Sequence, residues 1–98
     1  MKIYEGGRFA GETIVTVNGK PLNPRLDLRN HSPDGFEWGY GGSGPAQLAL
    51  ALLADHMSDD DKALRLYPSF KAAVIASFPC ESWRLTSDQI DQTLKSLQ

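Results

Sequence analysis

Hydrophobic positions change period once along this chain, near residue 40. Before that point they alternate in short runs bounded by Gly, Pro and Asn, the pattern of strands and tight turns. Lys2 to Glu5 reads as a first short strand, stopped by Gly6-Gly7. Thr13-Ile14-Val15-Thr16-Val17 is the strongest strand signal, β-branched at every position. Asn18-Gly19 then suits a type I′ hairpin turn, which needs positive φ at both central residues. Lys20 to Leu22 begins the return strand, with Pro21 confining it to an edge or a bulge. Arg25-Leu26-Asp27-Leu28-Arg29 alternates with Leu26 and Leu28 toward a core, and Asn30 to Gly35 is turn-rich. Phe36-Glu37-Trp38-Gly39-Tyr40 alternates again, its three aromatics on one face.

After Tyr40 the period becomes helical. Gly41-Gly42-Ser43-Gly44 precedes Pro45, which suits a first helical position, with Ser43 or Gly44 as the cap. Between Pro45 and about His56 the leucines and alanines cover far more than the ~100° stripe of a surface helix. That helix must be covered on more than one side, by the sheet and a second helix. Ser58 is placed to cap the next helix, with Asp61 in the boxing position. Pro68 interrupts it, and a further helix from Pro68 to Ser77 sets Phe70, Val74 and Phe78 at four-residue spacing. Ser82 to Leu85 reads as a short strand or an extended link. Thr86 with Gln89 makes a capping box for a last helix striped by Ile90, Leu94 and Leu97. The expected fold is α+β: a small antiparallel sheet of three to four strands against three to four helices, one domain over residues 1–98.

Composition narrows the chemistry. The formal net charge is −2, against a general binder of nucleic-acid backbone. The charge is uneven: residues 1–29 carry five Lys/Arg and three Asp/Glu, and the remainder five and nine. One cysteine excludes an internal disulfide framework, and two histidines with it make a poor zinc set. No apolar run matches a signal peptide or a membrane span, so the expected location is the cytoplasm. Neither a cofactor nor a metal is expected.

The glycine-rich turn is the foremost candidate site, because backbone donors at a helix start can cradle a phosphate or carboxylate. It lacks the Walker lysine and the dinucleotide-fingerprint spacing, and its glycines equally serve close packing. Trp38 and Tyr40 beside it are placed to stack a ligand, with Gln47 one helical turn on; the expected binding set is Trp38, Tyr40, Gly41, Gly42, Ser43, Gly44 and Gln47. No catalytic set emerges. Ser43 lacks the Gly-x-Ser-x-Gly elbow and an evident base. His31 and His56 read as loop and packing residues, and Cys80 has Glu81 disfavouring a thiolate. Asp55, Asp59, Asp60 and Asp61 do not match an EF-hand loop and read as helix caps.

The stretch FEWGYGGSGPAQLALALL, residues 36–53, resembles a small uncharacterised family of bacterial and phage- or plasmid-borne proteins. Phe70 to Pro79 and Trp83 to Thr86 extend the resemblance more loosely. The family has no settled activity, so the resemblance implies a characteristic segment, Tyr40 to Leu48, and an accessory role in a mobile element. A non-enzymatic protein acting through contact with another protein is the leading expectation. The alternative is a small anionic or nucleotide-related ligand at the glycine-rich helix start, bound or turned over.

Overall fold

The computed structural model describes residues 1–97. The elements run β1 (Ile3–Phe9), β2 (Glu12–Val17), β3 (Lys20–Pro21), α1 (Ser43–Met57), α2 (Asp60–Ala73), a 3₁₀ turn (Ile75–Ser77), β4 (Trp83–Thr86) and α3 (Ser87–Leu97). The strands form one antiparallel sheet in the order β3-β2-β1-β4. The architecture is the expected α+β fold, with four strands and three α-helices.

Two tight turns shape the sheet. Asn18 and Gly19 have φ of 50° and 81°, as a type I′ turn demands. Ala10 and Gly11 make a second such turn, at 53° and 82°, joining β1 to β2. β1 therefore does not stop at Gly6-Gly7 but continues to Phe9. Gly6 survives inside the strand because its register partner Trp83 lays its indole where a side chain would stand. Pro21 sits in the edge strand, where its missing N–H breaks no ladder. Alternation then separates two faces. Tyr4, Val15, Trp83 and Leu85 are buried in the core, while Glu5, Ile14 and Arg84 are exposed on the other face.

Helix α1 is the centre of the domain: every residue from Gly44 to Ala54 is buried. α2 packs along it, and the inner face of the sheet shares its core cluster. A third side is covered by the irregular segment 22–35, which Gln47 holds in place. The Gln47 Oε1 accepts from the amides of His31 (2.8 Å) and Ser32 (3.2 Å), and its Nε2 donates to the carbonyls of Pro24 (2.6 Å) and Arg29 (3.0 Å). The helix begins at Ser43, capped by the backbone of Gly42 without a side-chain bond, so neither Ser43 nor Gly44 is the cap. Pro45 is its third residue, still within the turn whose N–H groups have no intrahelical partner.

Other expectations are corrected. Residues 25–29 form turns, not a strand. Arg25 has φ 55°, and its guanidinium grips both Asp27 and Asp60, which bends the segment onto α2. Phe36 to Tyr40 has no strand partner; Phe36 and Trp38 are buried, but Gly39 at φ 87° turns Tyr40 out to 50% exposure. Ser58 terminates α1 in a left-handed conformation, and Asp59 instead caps α2 by accepting from the Lys62 amide at 3.1 Å. Pro68 lies within α2 rather than ending it. The packing of Ala63 and Phe70, both fully buried, outweighs the one backbone bond that Pro68 cannot make. The Thr86–Gln89 capping box is present in both directions, at 2.9 and 3.2 Å.

Candidate functional site

The glycine-rich segment does not gather its candidate residues around one opening. Trp38 is 1% exposed and donates from Nε1 to the Cys80 carbonyl at 3.0 Å. Its ring meets Trp83 edge-on at 5.8 Å between centroids, and the Arg8 guanidinium lies 4.7 Å from its ring centre. Arg8 also donates from Nε to the Cys80 carbonyl (2.8 Å) and through both terminal nitrogens to the Glu37 carboxylate (3.1 and 2.8 Å). Those hydrogen bonds hold the Glu37 carboxyl below the usual range, with the nearby charge adding to them and burial opposing. Arg8, Trp38 and Glu37 thus clamp β1, the approach to α1 and the loop before β4 together.

Gln47 is likewise engaged, each end of its amide bonded twice to the protein's own backbone. Gly44 is buried, and a Cβ there would stand 2.6 Å from that of Glu37, so this glycine permits the close approach of α1 to the preceding segment. Tyr40 packs its ring over Gly42 and leaves the rest of its surface open, with Gly41 and Ser43 exposed beside it. The structure therefore keeps Tyr40, Gly41, Gly42 and Ser43 together at the surface and takes Trp38, Gly44 and Gln47 inside.

The remaining candidates are dispersed. The His31 ring pairs with the Tyr67 hydroxyl at 2.8 Å, and His56 with Asp91 at 2.6 Å, at the opposite end of α1 from Ser43. Asp59 is a cap, Asp60 pairs with Arg25, and Asp55 accepts from Tyr4 and Lys2. Cys80 is a free, exposed thiol. Among the described residues no group of three or more His, Cys, Asp and Glu is arranged to hold a metal ion. No helix among them is long and apolar enough to cross a membrane.

The surface that sequence reasoning missed is the outer face of the sheet. Phe9 is 75% exposed and Ile14 50%. They stand on adjacent antiparallel strands, Ile14 opposite Gly7 and Phe9 opposite Glu12, which makes them diagonal neighbours. At Gly7 no atom lies within 4 Å of where a Cβ would be. The result is a shallow depression of about 320 Å³ flanked by Glu5, Phe9, Ile14 and Thr16. A signal was there: the run Thr13 to Val17 has Ile14 on one face and Val15 and Val17 on the other, so whichever face turns outward carries an aliphatic β-branched side chain.

A four-stranded antiparallel sheet with its buried side chains on one face and an exposed apolar pair on the other defines a small α+β domain with an open sheet surface. The chain belongs to a family of unknown function, DUF6166, whose model matches residues 4–96. No curated protein matches the chain, and neither does any solved structure.

Proposed function

We propose that this is a non-enzymatic binding protein that contacts another protein through the outer face of its sheet. One observation carries the reading: Phe9 and Ile14 stand exposed together at the rim of the Gly7 depression. Fully covering an exposed side chain of this size is worth about 1.5–3 kcal/mol, so these two, already partly covered, contribute part of a contact that the rest of the face must complete. The depression admits one apolar side chain from the partner. Glu5, Glu12 and Arg84 on the same face supply a polar rim, and the two carboxylates favour a protein surface over a phosphate backbone. Engagement of Trp38 and Gln47 inside the protein favours this face over the glycine-rich turn.

The test is quantitative capture from cells with the wild-type chain and with the Phe9→Thr/Ile14→Thr variant. Threonine keeps β propensity while removing most of the apolar surface. The expected result is one stoichiometric partner, lost by a variant whose circular dichroism and melting are unchanged. Recovery of the same proteins by both chains would overturn the assignment.

A further inference from the structure

A second opening lies where α1 ends and α2 begins, and it has the opposite character to the sheet face. This cleft, about 380 Å³, is lined by Lys2, Asn23, Arg25, Asp55, Ser58 and Asp60 over a floor of Ala51 and Ala54. Charges of both signs face one small space.

The polar groups divide into those already locked and those still free. Arg25 and Asp60 are locked: the guanidinium bonds both Asp60 oxygens, at 3.1 and 2.9 Å, and also Asp27. Asp55 is pinned on one side only. Its Oδ2 accepts from the hydroxyl of the fully buried Tyr4 at 2.7 Å and from the Lys2 ammonium at 3.1 Å. Its Oδ1 makes no hydrogen bond among the described residues. Asn23 is oriented by its Oδ1, which accepts the Arg25 amide at 2.9 Å, leaving its Nδ2 without a partner there. Ser58 holds the left-handed end of α1 at φ 51°, where glycine would sit with less strain, and its hydroxyl is also unbonded among the described residues. Lys2 pairs with Asp55 at the surface, an exposed ion pair of the kind that contributes little to stability. Beyond these contacts the cleft is lined by one Asp55 carboxylate oxygen, the Asn23 amide and the Ser58 hydroxyl, with the Lys2 ammonium held by its exposed pair to Asp55.

We propose that this cleft binds a small zwitterion of the α-amino-acid class. The ligand ammonium is taken by Asp55 Oδ1, and its carboxylate by Asn23 Nδ2, the Ser58 hydroxyl and Lys2. Specificity follows from the mixed charge. A lone amine meets the repulsion of Lys2, and a lone carboxylate that of Asp55. The cleft is near the lower limit of ligand pockets, about 300 Å³, so the side chain must be compact.

The test is titration of the labelled full chain with L-alanine, followed by amide chemical shifts, with ethylamine and propionate as half-ligands. Alanine is expected to give saturable shifts at Asn23, Asp55 and Ser58, with each half-ligand weaker by about tenfold or more. Asp55→Asn is expected to weaken alanine by about tenfold, and Ser58→Gly, which suits the left-handed backbone, by about fivefold. The dispersion of the same spectra reports whether each variant is folded. The proposal is overturned by no saturable shift up to the solubility limit of alanine. It is equally overturned by half-ligands that bind as tightly as alanine, or by folded variants that bind it as the wild type does.

Discussion

The indole of Trp83 lies across Gly6, its register partner in β1, and fills the volume a side chain there would need. Phe78 stacks on the same indole at 4.6 Å between centroids and Trp38 meets it edge-on at 5.8 Å, which restricts how far the ring can shift. Gly6→Ala is therefore expected to cost about 2–3 kcal/mol through overpacking, read by denaturant unfolding. Gly7 is the control. It faces open space, and replacing it with alanine relieves the entropic cost of glycine in a strand, a gain of about 0.5–1 kcal/mol. The same Gly7→Ala change puts a methyl group on the floor of the outer depression, so it should weaken partner capture while raising stability. A purely structural role for the sheet face would show the stability gain alone.

Gln47 is the residue through which the buried helix α1 holds the irregular third side of the domain. Gln47→Leu keeps the volume but leaves two amides and two carbonyls of segment 24–32 without partners. At about 1–3 kcal/mol for each unsatisfied buried group, with water reaching some of them, a loss near 3 kcal/mol is expected. Hydrogen exchange supplies the specific readout: the His31 and Ser32 amides should lose protection first, before the amides of α1. Uniform loss across the whole domain would mean that Gln47 contributes only through packing.

The sheet and the helices were legible where one local signal sufficed. Asn18-Gly19 announced its turn, Thr86 and Gln89 their cap, and the broad leucine and alanine face of α1 its burial. The errors arose where a distant partner decided the outcome. Arg25 to Arg29 alternates like a strand, yet Asp60 and Gln47 bend it into turns. Pro68 reads as a helix end, yet Phe70 packing on α1 carries the helix past it. Ala10 gives no hint of positive φ, so β1 seemed to end early. At the candidate site, the glycines and aromatics could be counted, but Gly39 sends Trp38 and Tyr40 in opposite directions. Nothing short of the fold shows that Gln47 is occupied.

Phe9 and Ile14 contribute little to the folded state for surfaces so apolar. Both project from the outer face, away from the core cluster. Phe9→Thr and Ile14→Thr are each expected to change stability by less than about 0.5 kcal/mol, with solubility rising. Thermal melts of the single variants check this. A loss above about 1 kcal/mol for either would place that side chain in the core rather than at an interface.

Tyr4 joins the fold to the α1 cleft, because its ring is core and its hydroxyl holds Asp55. Burial chiefly, and then the hydrogen bond and charge of Asp55, keep the phenol protonated well above the ordinary tyrosine range. A folded-state value raised above the unfolded one stabilises the protein fully below the unfolded value, about 10, and that stability is lost as pH rises through the folded value. Tyr4→Phe removes the hydrogen bond but keeps the ring. With Asp55 still paired to Lys2 and partly in water, the cost is expected to be about 1–1.5 kcal/mol at neutral pH. The difference between wild type and variant should stay constant from neutral pH to about 10 and shrink above it, as ionisation of the phenol begins to favour the unfolded chain. Unfolding midpoints of wild type and variant measured across that range, with phenolate absorbance recorded alongside, isolate the contribution of this residue. A difference that grew with pH would mean the hydroxyl ionises in the folded protein, and the Asp55 contact would then be wrong.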